Sequence, residues 1–176
     1  MTQNIDNLEE KAGMDMNGVV QCHGANKGAY CSHCKQEVNP AELEQAIRED
    51  RVLRCDKCAE RAPVKPKMVF FGEDLPREFH EASVLMEREP DLCIIMGTAL
   101  AVAPFNALPA KLDFNVPKVL INLNNTKDTC GLDFTVGSKK LFLQGKCDEK
   151  IRRMATDLGW NDDFEAILPP CHRHRN

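Results

Sequence analysis

Two pairs of closely spaced cysteines are the residues of this sequence best suited to chemistry. Cys31 and Cys34 form one CxxC pair, Cys55 and Cys58 form a second, and 20 residues separate the pairs. Two intervening residues let a tight turn present both sulfurs to one ion, and a tetrahedral ion then needs a second pair. The spacing therefore predicts a structural site for one Zn²⁺ with four thiolate ligands and no open position for a substrate.

Two alternatives to this ligand set arise from the same segment. A redox-active CxxC pair normally occurs singly and opens a helix of a thioredoxin-like unit, whereas this chain has two pairs. His33 lies inside the first pair and is a possible fourth ligand, but we expect it to be solvated because four cysteines complete the shell. The other cysteines lack a partner at this spacing and are expected to be small core or surface residues. They are Cys22, Cys93, Cys130, Cys147 and Cys171.

Length and composition indicate a folded globular chain. Of 176 residues, 43% are hydrophobic and 28% are charged, which excludes fibrous and low-complexity classes. The net charge of −4 argues against a protein that binds nucleic acid mainly through its phosphates. The first residues show no basic flank and no apolar run, so no secretory signal is expected and the thiols are expected to be reduced.

An uncharged stretch of 19 residues, 92–110, has about the length of a membrane span. Gly97 and Thr98 interrupt it, and Pro104 and Pro109 follow. The stretch therefore predicts a buried strand, a turn and the start of a helix rather than a membrane span.

Short apolar runs alternate with helical patterns along the chain. The runs predict strands at Val19–Cys22, Met68–Phe71, Leu92–Met96, Val119–Leu123 and Leu141–Leu143. The helical patterns lie at Leu8–Ala12, after Asn39-Pro40, at Arg77–Arg88, near Phe105, around Ile151–Leu158 and at Phe164–Leu168. In the second helix, Leu43, Ala46 and Ile47 share the face expected to be buried. Uncharged strands separated by helices predict an α/β fold with a parallel sheet, interrupted here by the cysteine-rich segment.

Several short strings occur in a fixed order around the cysteine pairs. They are Thr2-Gln3-Asn4-Ile5-Asp6, Cys22-His23-Gly24, Val69-Phe70-Phe71-Gly72-Glu73-Asp74-Leu75-Pro76, Gly97-Thr98-Ala99-Leu100, Ile121-Asn122 and Gly145-Lys146-Cys147-Asp148. In order and spacing they resemble the sirtuin family, from residue 2 to about residue 168. The resemblance implies a partial Rossmann-like parallel sheet with an inserted zinc-ribbon module.

The activity that the resemblance implies is NAD-dependent removal of acyl groups, usually acetyl, from lysine side chains of proteins. The products would be free lysine, nicotinamide and O-acetyl-ADP-ribose. The strings are most similar to those of the cytoplasmic and nuclear class of eukaryotic sirtuins. Acetylated proteins of histone or tubulin type are therefore the expected partners, in the cytoplasm or nucleus, without direct binding of nucleic acid or membrane.

The resemblance assigns catalytic roles to His23 and Asn4. Histidine exchanges a proton near neutral pH, which suits a general base acting on a ribose hydroxyl. Without the resemblance, a histidine beside a glycine is more often a turn residue. The cofactor-binding residues implied beside the nicotinamide ribose are Gln3, Asn4, Ile5 and Asp6. Asp6 is also an expected helix cap.

Two further groups of residues are implied to bind ligands. The peptide substrate is expected to add a strand against Val69, Phe70, Phe71, Gly72 and Glu73. For the apolar members the alternative is an ordinary core position, which we expect for at least one phenylalanine. The remaining cofactor contacts are Gly97 and Thr98 in a strand-to-helix turn, Asn122, Leu123 and Asn124 at the adenosine ribose, and Cys147 at the adenine. Ala99 replaces the usual serine of the family.

The family's glycine-rich NAD loop precedes the Thr-Gln-Asn-Ile-Asp string, and this chain contains no such loop before Thr2. We therefore expect a carboxy-terminal portion of a sirtuin. The alternatives are a truncated, inactive, zinc-containing interaction module and a protein ADP-ribosyltransferase. The expected domains are a cofactor and catalytic domain at 1–24 and 63–168, a zinc-binding module at 25–62 and a disordered tail at 169–176.

Overall fold

The computed structural model describes residues 1–126, 132–134 and 139–168. The chain divides into two compact units, Met1–Val84 and Leu85–Asn176. Strands and helices occur in both, and one of the two three-stranded sheets is parallel. The predicted α/β fold class is therefore confirmed. The predicted tail, 169–176, lies outside the described residues, as do Cys130 and Cys171.

The first unit contains an antiparallel sheet with strand order β2-β1-β3. Its strands are β1 (Gly24–Cys31), β2 (Glu37–Val38) and β3 (Val64–Met68). Its short helices are α1 (Leu8–Lys11) and α2 (Pro40–Arg48). A small core lies between α2 and the sheet, and it consists of Ala29, Cys31, Leu43, Cys55 and Val64. Two of the predicted metal ligands are therefore core residues of this unit.

Two strand predictions in this unit are wrong. Residues 19–22 form only isolated bridges, such as that between Thr2 and Gln21, and the strand begins at Gly24. The strand predicted at Met68–Phe71 instead runs from Val64 to Met68. The lysines and the proline made this segment look like a loop, but each lysine pairs with a glutamate outside the strand, and proline is tolerated in an edge strand.

The beginning of α2 follows the prediction. The Asn39 side chain accepts a hydrogen bond from the N–H of Ala41 (3.1 Å), and Pro40 occupies the first turn. Leu43 and Ala46 are buried as expected. Ile47 is 65% exposed, so its expected burial is wrong, because the small core covers a stripe narrower than one helix face.

The second unit contains a parallel sheet with strand order β4-β5-β6. Its strands are β4 (Cys93–Met96), β5 (Lys118–Asn122) and β6 (Lys140–Gln144). The helices are α3 (Arg77–Met86), which crosses the boundary between the units, α4 (Leu108–Lys111), α5 (Cys147–Asp157) and α6 (Asn161–Ile167). Ile95, Leu120 and Phe142 lie in register across the three strands. No helix in the described part of the chain is long and apolar enough to cross a membrane.

Leu120 offers a test of this core. It is fully buried in the central strand, so Leu120→Ala is expected to lower the free energy of unfolding by about 2–5 kcal/mol. Urea denaturation followed by circular dichroism measures the change. Leu141, half exposed on β6, is the matched control. Equal losses in the two variants would contradict the assignment of Leu120 to the core.

Candidate functional site

The four cysteines of the two CxxC pairs come together in the structure. Their sulfurs all lie within 4.8 Å of one another, and the Sγ atoms are 3.7 Å apart between Cys31 and Cys58 and between Cys34 and Cys55. A tetrahedral zinc ion with Zn–S bonds of about 2.3 Å places its sulfurs roughly 3.8 Å apart. The donor set and its spacing therefore fit one Zn²⁺.

Two tight turns present these sulfurs. Cys31 ends β1, and its carbonyl oxygen accepts from the N–H of Lys35 (3.1 Å). In the second turn, the N–H of Lys57 donates to the sulfur of Cys55 (3.4 Å). Burial opposes ionisation of Cys31, but backbone N–H groups of Cys34 and His33 outweigh it and lower its pKa to about 6. The first turn therefore favours the thiolate form of Cys31, whereas the pKa of Cys34 is raised to about 11 and that of Cys58 is also raised, in part by the charge on Cys31.

His33 does not join the cluster. Its Nε2 lies 3.5 Å from a carboxylate oxygen of Glu60, and both side chains are more than half exposed. Among the residues that the structure describes, the four cysteines are the one group with the geometry of a metal site. The alternative in which His33 replaces a thiolate is not supported.

His23 lies in a turn immediately before β1. Its Nδ1 is 3.0 Å from the carbonyl oxygen of Gln3. Because a carbonyl oxygen only accepts hydrogen bonds, Nδ1 carries the hydrogen, and in the neutral ring the lone pair is on Nε2. Burial raises the pKa of the neighbouring Cys22 thiol to about 11, so this cysteine stays protonated at neutral pH. The turn therefore presents one basic atom, Nε2 of His23.

Gly24 fixes the backbone of this turn. Its φ is +66°, and a Cβ atom built there would lie 2.4 Å from the carbonyl oxygen of Lys67. Only glycine fits this close approach of β1 to β3. The carbonyl oxygen of His23 also accepts from the N–H of Val69 (2.9 Å), so the turn is held against the end of β3.

The segment from Gln3 to Asp6 is tied down at both ends. Gln3 contacts His23, and the carbonyl oxygen of Ile5 accepts from the N–H of Asn26 (2.9 Å). The Asp6 carboxylate accepts from the N–H of Leu8 (3.1 Å), the first residue of α1, although the N-cap position itself is Asn7, so the expectation that Asp6 caps this helix is met only by its hydrogen bond. Asn4 is exposed. The structure thus brings Gln3 to His23 and leaves the Asn4 side chain facing solvent.

Residues 69–73 form a turn that follows β3. The Glu73 carboxylate accepts from the N–H of Phe70 (2.8 Å), and the N–H of Glu73 donates to the carbonyl oxygen of Phe70 (3.0 Å). Phe70 is 46% exposed and Phe71 is 99% exposed. The expectation that at least one of the two belongs to the core is therefore wrong, because both rings stand on an exposed turn.

A pocket of about 620 Å³ lies in the second unit, where β4, β5 and β6 end. The carboxyl ends of parallel strands are the usual place for a ligand in an open α/β sheet. All six cofactor residues predicted in this unit line it: Gly97, Thr98, Asn122, Leu123, Asn124 and Cys147. Residues not predicted as site residues also line it: Ala99, Asn125, Thr126, Gly145, Lys146 and Asp148. Each lies within two positions of a predicted one in the sequence, so proximity along the chain was the available signal.

Asn122 holds the loops of this pocket together. Its Nδ2 donates to the carbonyl oxygens of Thr98 (2.9 Å) and Asn124 (3.0 Å). The backbone carbonyl oxygen of Asn122 accepts from the N–H of Gly145 (3.0 Å). Cys147 begins α5, and its sulfur lies 3.6 Å from the carbonyl oxygen of Ile121. One side chain at the end of β5 therefore links the loops that follow β4 and β5.

Comparison with known proteins agrees with these features. A family model described as "Sir2 family" matches residues 1–104, which is more than half of the chain. The NAD-dependent protein deacetylase hst2 of Schizosaccharomyces pombe is 32% identical over 167 residues, which cover 95% of this chain and 48% of that protein. The NAD-dependent protein deacetylase sirtuin-1 of Rattus norvegicus is 37% identical over 161 residues, which cover 90% of this chain and 27% of that protein.

A third relative is named for histones. The NAD-dependent histone deacetylase sir2 of Schizosaccharomyces pombe is 32% identical over 206 residues, covering 97% of this chain and 42% of that protein. The chain spans about half, or less, of the length of these curated relatives. Since the family model matches more than half of the chain, the chain belongs to the Sir2 family.

Proposed function

We propose that this protein is an NAD-dependent protein lysine deacetylase with one structural Zn²⁺ held by Cys31, Cys34, Cys55 and Cys58. The observation that carries the proposal is the orientation of His23, whose Nδ1 faces the carbonyl oxygen of Gln3 and whose Nε2 bears the lone pair. The three relatives described above are named NAD-dependent deacetylases, and these names suggest the reaction.

The pocket of the second unit suits the adenosine part of NAD. Its volume lies within the roughly 300–1,000 Å³ of ordinary small-molecule sites. Gly97 has a φ of +62° and no side chain, which lets a ligand approach the backbone. In the proposal, Gly97 and Thr98 contact the cofactor, Asn122, Leu123 and Asn124 surround its ribose, and Cys147 lies at its adenine. When bound, NAD would supply an electrophilic ribose carbon, which the acetyl oxygen would attack as nicotinamide leaves.

The chain's own proton chemistry is assigned to His23. The hydrogen bond to Gln3 keeps the hydrogen on Nδ1 and orients the ring, so that Nε2 accepts the proton of a ribose hydroxyl. Gln3, Asn4, Ile5 and Asp6 are proposed to border the nicotinamide ribose, with Asn4 as the second catalytic side chain. The contacts of Ile5 and Asp6 hold this segment in place.

The substrate proposed for the turn 69–73 is a peptide that carries an acetylated lysine. An extended peptide would add a strand along this segment, in the mode by which exposed strand edges capture peptides. The exposed rings of Phe70 and Phe71 would contact its aliphatic parts. Histones are the proposed protein class, with tubulin as the other, in the nucleus or cytoplasm and without direct nucleic-acid or membrane binding. The relative that is named a histone deacetylase supports histones as the substrate class.

The proposed domain organisation keeps a zinc-binding module at 25–62 between two parts of the catalytic domain, 1–24 and 63–168. The small core of the first unit supports the module, since its members run from Ala29 to Val64 and include two of the four cysteines. This module would stabilise the fold rather than take part in the reaction.

Deacetylation of an acetyl-lysine peptide, followed by mass spectrometry with and without NAD, tests the proposal. We expect loss of the acetyl group only with NAD, together with release of nicotinamide. No loss, or equal loss without NAD, would contradict it. Transfer of ADP-ribose to protein in the same assay would favour the ADP-ribosyltransferase instead.

Asn122→Ala is expected to weaken binding of ADP-ribose by about tenfold or more. The substitution removes two hydrogen bonds that hold the pocket loops, each with a net contribution of about 0.5–1.5 kcal/mol. Isothermal titration calorimetry with ADP-ribose measures the change. Asn115, exposed and outside the pocket lining, is the control, and Asn115→Ala should bind like wild type. Unchanged affinity of Asn122→Ala would contradict the pocket assignment.

A further inference from the structure

Lys65 is a charged residue in an unusual place. It lies in β3, is 7% exposed, and forms an ion pair with the carboxylate of Glu73. A buried ammonium group is costly unless a charge or aromatic face compensates it. Its Nζ is 4.3 Å from the centre of the Phe70 ring and 5.4 Å from that of Tyr30, which adds two cation–π contacts. Lys65 is therefore held from three sides.

Glu73 connects this lysine to the backbone of the turn. The same carboxylate oxygen that pairs with Lys65 accepts from the N–H of Phe70 at 2.8 Å. The Lys65 ammonium, and then the Phe70 N–H, hold the pKa of Glu73 below its ordinary value. One buried charge thus fixes a carboxylate that closes the turn 69–73.

A second lysine–glutamate pair on the same strand provides a contrast. Lys67, two residues further along, pairs with Glu37, but both side chains are largely exposed. Glu37 lies on β2, on the far side of β1. Exposed pairs contribute little to stability, and the Glu37 carboxylate accepts from Lys67, which is outside the turn. The two pairs are therefore chemically alike, but only the carboxylate of Glu73 also binds the backbone of the turn 69–73.

We propose that Lys65 and Glu73 are positioning residues for the acetylated peptide, because their ion pair fixes the turn against which the peptide docks. The inference rests on the proposed function of that turn. Neither Lys65 nor Glu73 lines the pocket of the second unit. Their ion pair keeps the Phe70 N–H turned inward, toward Glu73, and leaves the Phe71 ring on the surface.

The experiment compares Glu73→Ala, Glu73→Gln and the matched control Glu37→Ala in the full chain. A fluorescent acetyl-lysine peptide is titrated by anisotropy, and hydrogen exchange reports the Phe70 amide. We expect Glu73→Ala to bind the peptide about tenfold more weakly, with faster Phe70 exchange. Glu73→Gln keeps a hydrogen-bond acceptor, so its peptide affinity should lie between those of Glu73→Ala and the wild type. Glu37→Ala should bind the peptide like the wild type. Melting temperature and zinc content show that each variant is folded.

Three results would overturn the inference. The first is wild-type peptide affinity in a folded Glu73→Ala variant whose Phe70 amide exchanges faster. The second is an equal loss of affinity in Glu37→Ala, which indicates a general effect of charge. In both cases the wild type still binds the peptide, so the proposed function survives. If the wild-type chain does not bind the peptide, both fail together. Should Glu73→Ala not fold, the Glu73→Gln variant decides by the same criteria.

Discussion

Cys55→Ser is expected to abolish zinc binding and to unfold the segment between β1 and β3. Cys55 is buried in a core whose other members are small or medium-sized, so burial alone stabilises this segment weakly. Structural four-ligand sites contribute about 10–16 kcal/mol of apparent binding free energy, far more than one small core. A serine hydroxyl does not replace a thiolate as a ligand. Elemental analysis and limited proteolysis between Arg48 and Arg54 measure the two effects.

Cys93→Ser is the matched control for this prediction. Cys93 belongs to β4 in the second unit, where burial raises the pKa of its thiol, so it stays protonated and unreactive at neutral pH. This variant should keep one zinc per chain and resist proteolysis of 48–54. The assignment fails if the wild type holds less than about half a zinc per chain, since such sites bind tightly. It fails equally if Cys55→Ser keeps its metal.

The cysteine site was predictable because its information is local. Each CxxC pair determines a turn within four residues, and the ion that joins the two turns requires no knowledge of the sheet. The parallel sheet was predictable for a similar reason, since its strands consist of short uncharged apolar runs such as Ile94-Ile95, although of these two only Ile95 is buried.

β3 could not be predicted because its backbone pairs with β1, which lies far away in sequence. Lys65 and Lys67 make the strand look like a loop, yet each pairs with a glutamate outside the strand. The exposure of Ile47 has the same origin, since the width of the core beneath α2 depends on the packed sheet rather than on helical periodicity.

The short strings named residues that the structure brings together, but not the contacts between them. The residues of the second unit that the strings predict to bind the cofactor all line one pocket. The role of the Asn122 side chain as a link between loops is visible only in three dimensions. The same holds for Gln3 and His23, which are 20 positions apart and define the tautomer of the histidine by contact.

His23→Ala is expected to lower NAD-dependent deacetylation by at least about 10²-fold, within the 10²–10⁴-fold range typical of a lost general base. The fold should survive, because Gly24 determines the turn and the backbone of residue 23, not its side chain, holds Val69. Initial rates with an acetyl-lysine peptide at saturating NAD, compared with wild type, measure the loss. Zinc content and melting temperature should stay close to the wild-type values.

His23→Asn separates proton transfer from a purely structural role. The Nδ2 group of asparagine occupies nearly the place of Nδ1 in histidine, so it can donate to the carbonyl oxygen of Gln3 while no basic nitrogen replaces Nε2. If His23 acts as the base, this variant should be about as inactive as His23→Ala. If the imidazole only anchors the segment at Gln3, the asparagine should restore most of the rate. Activity of His23→Asn within about threefold of wild type would therefore exclude His23 as the general base and leave it the role of holding Gln3.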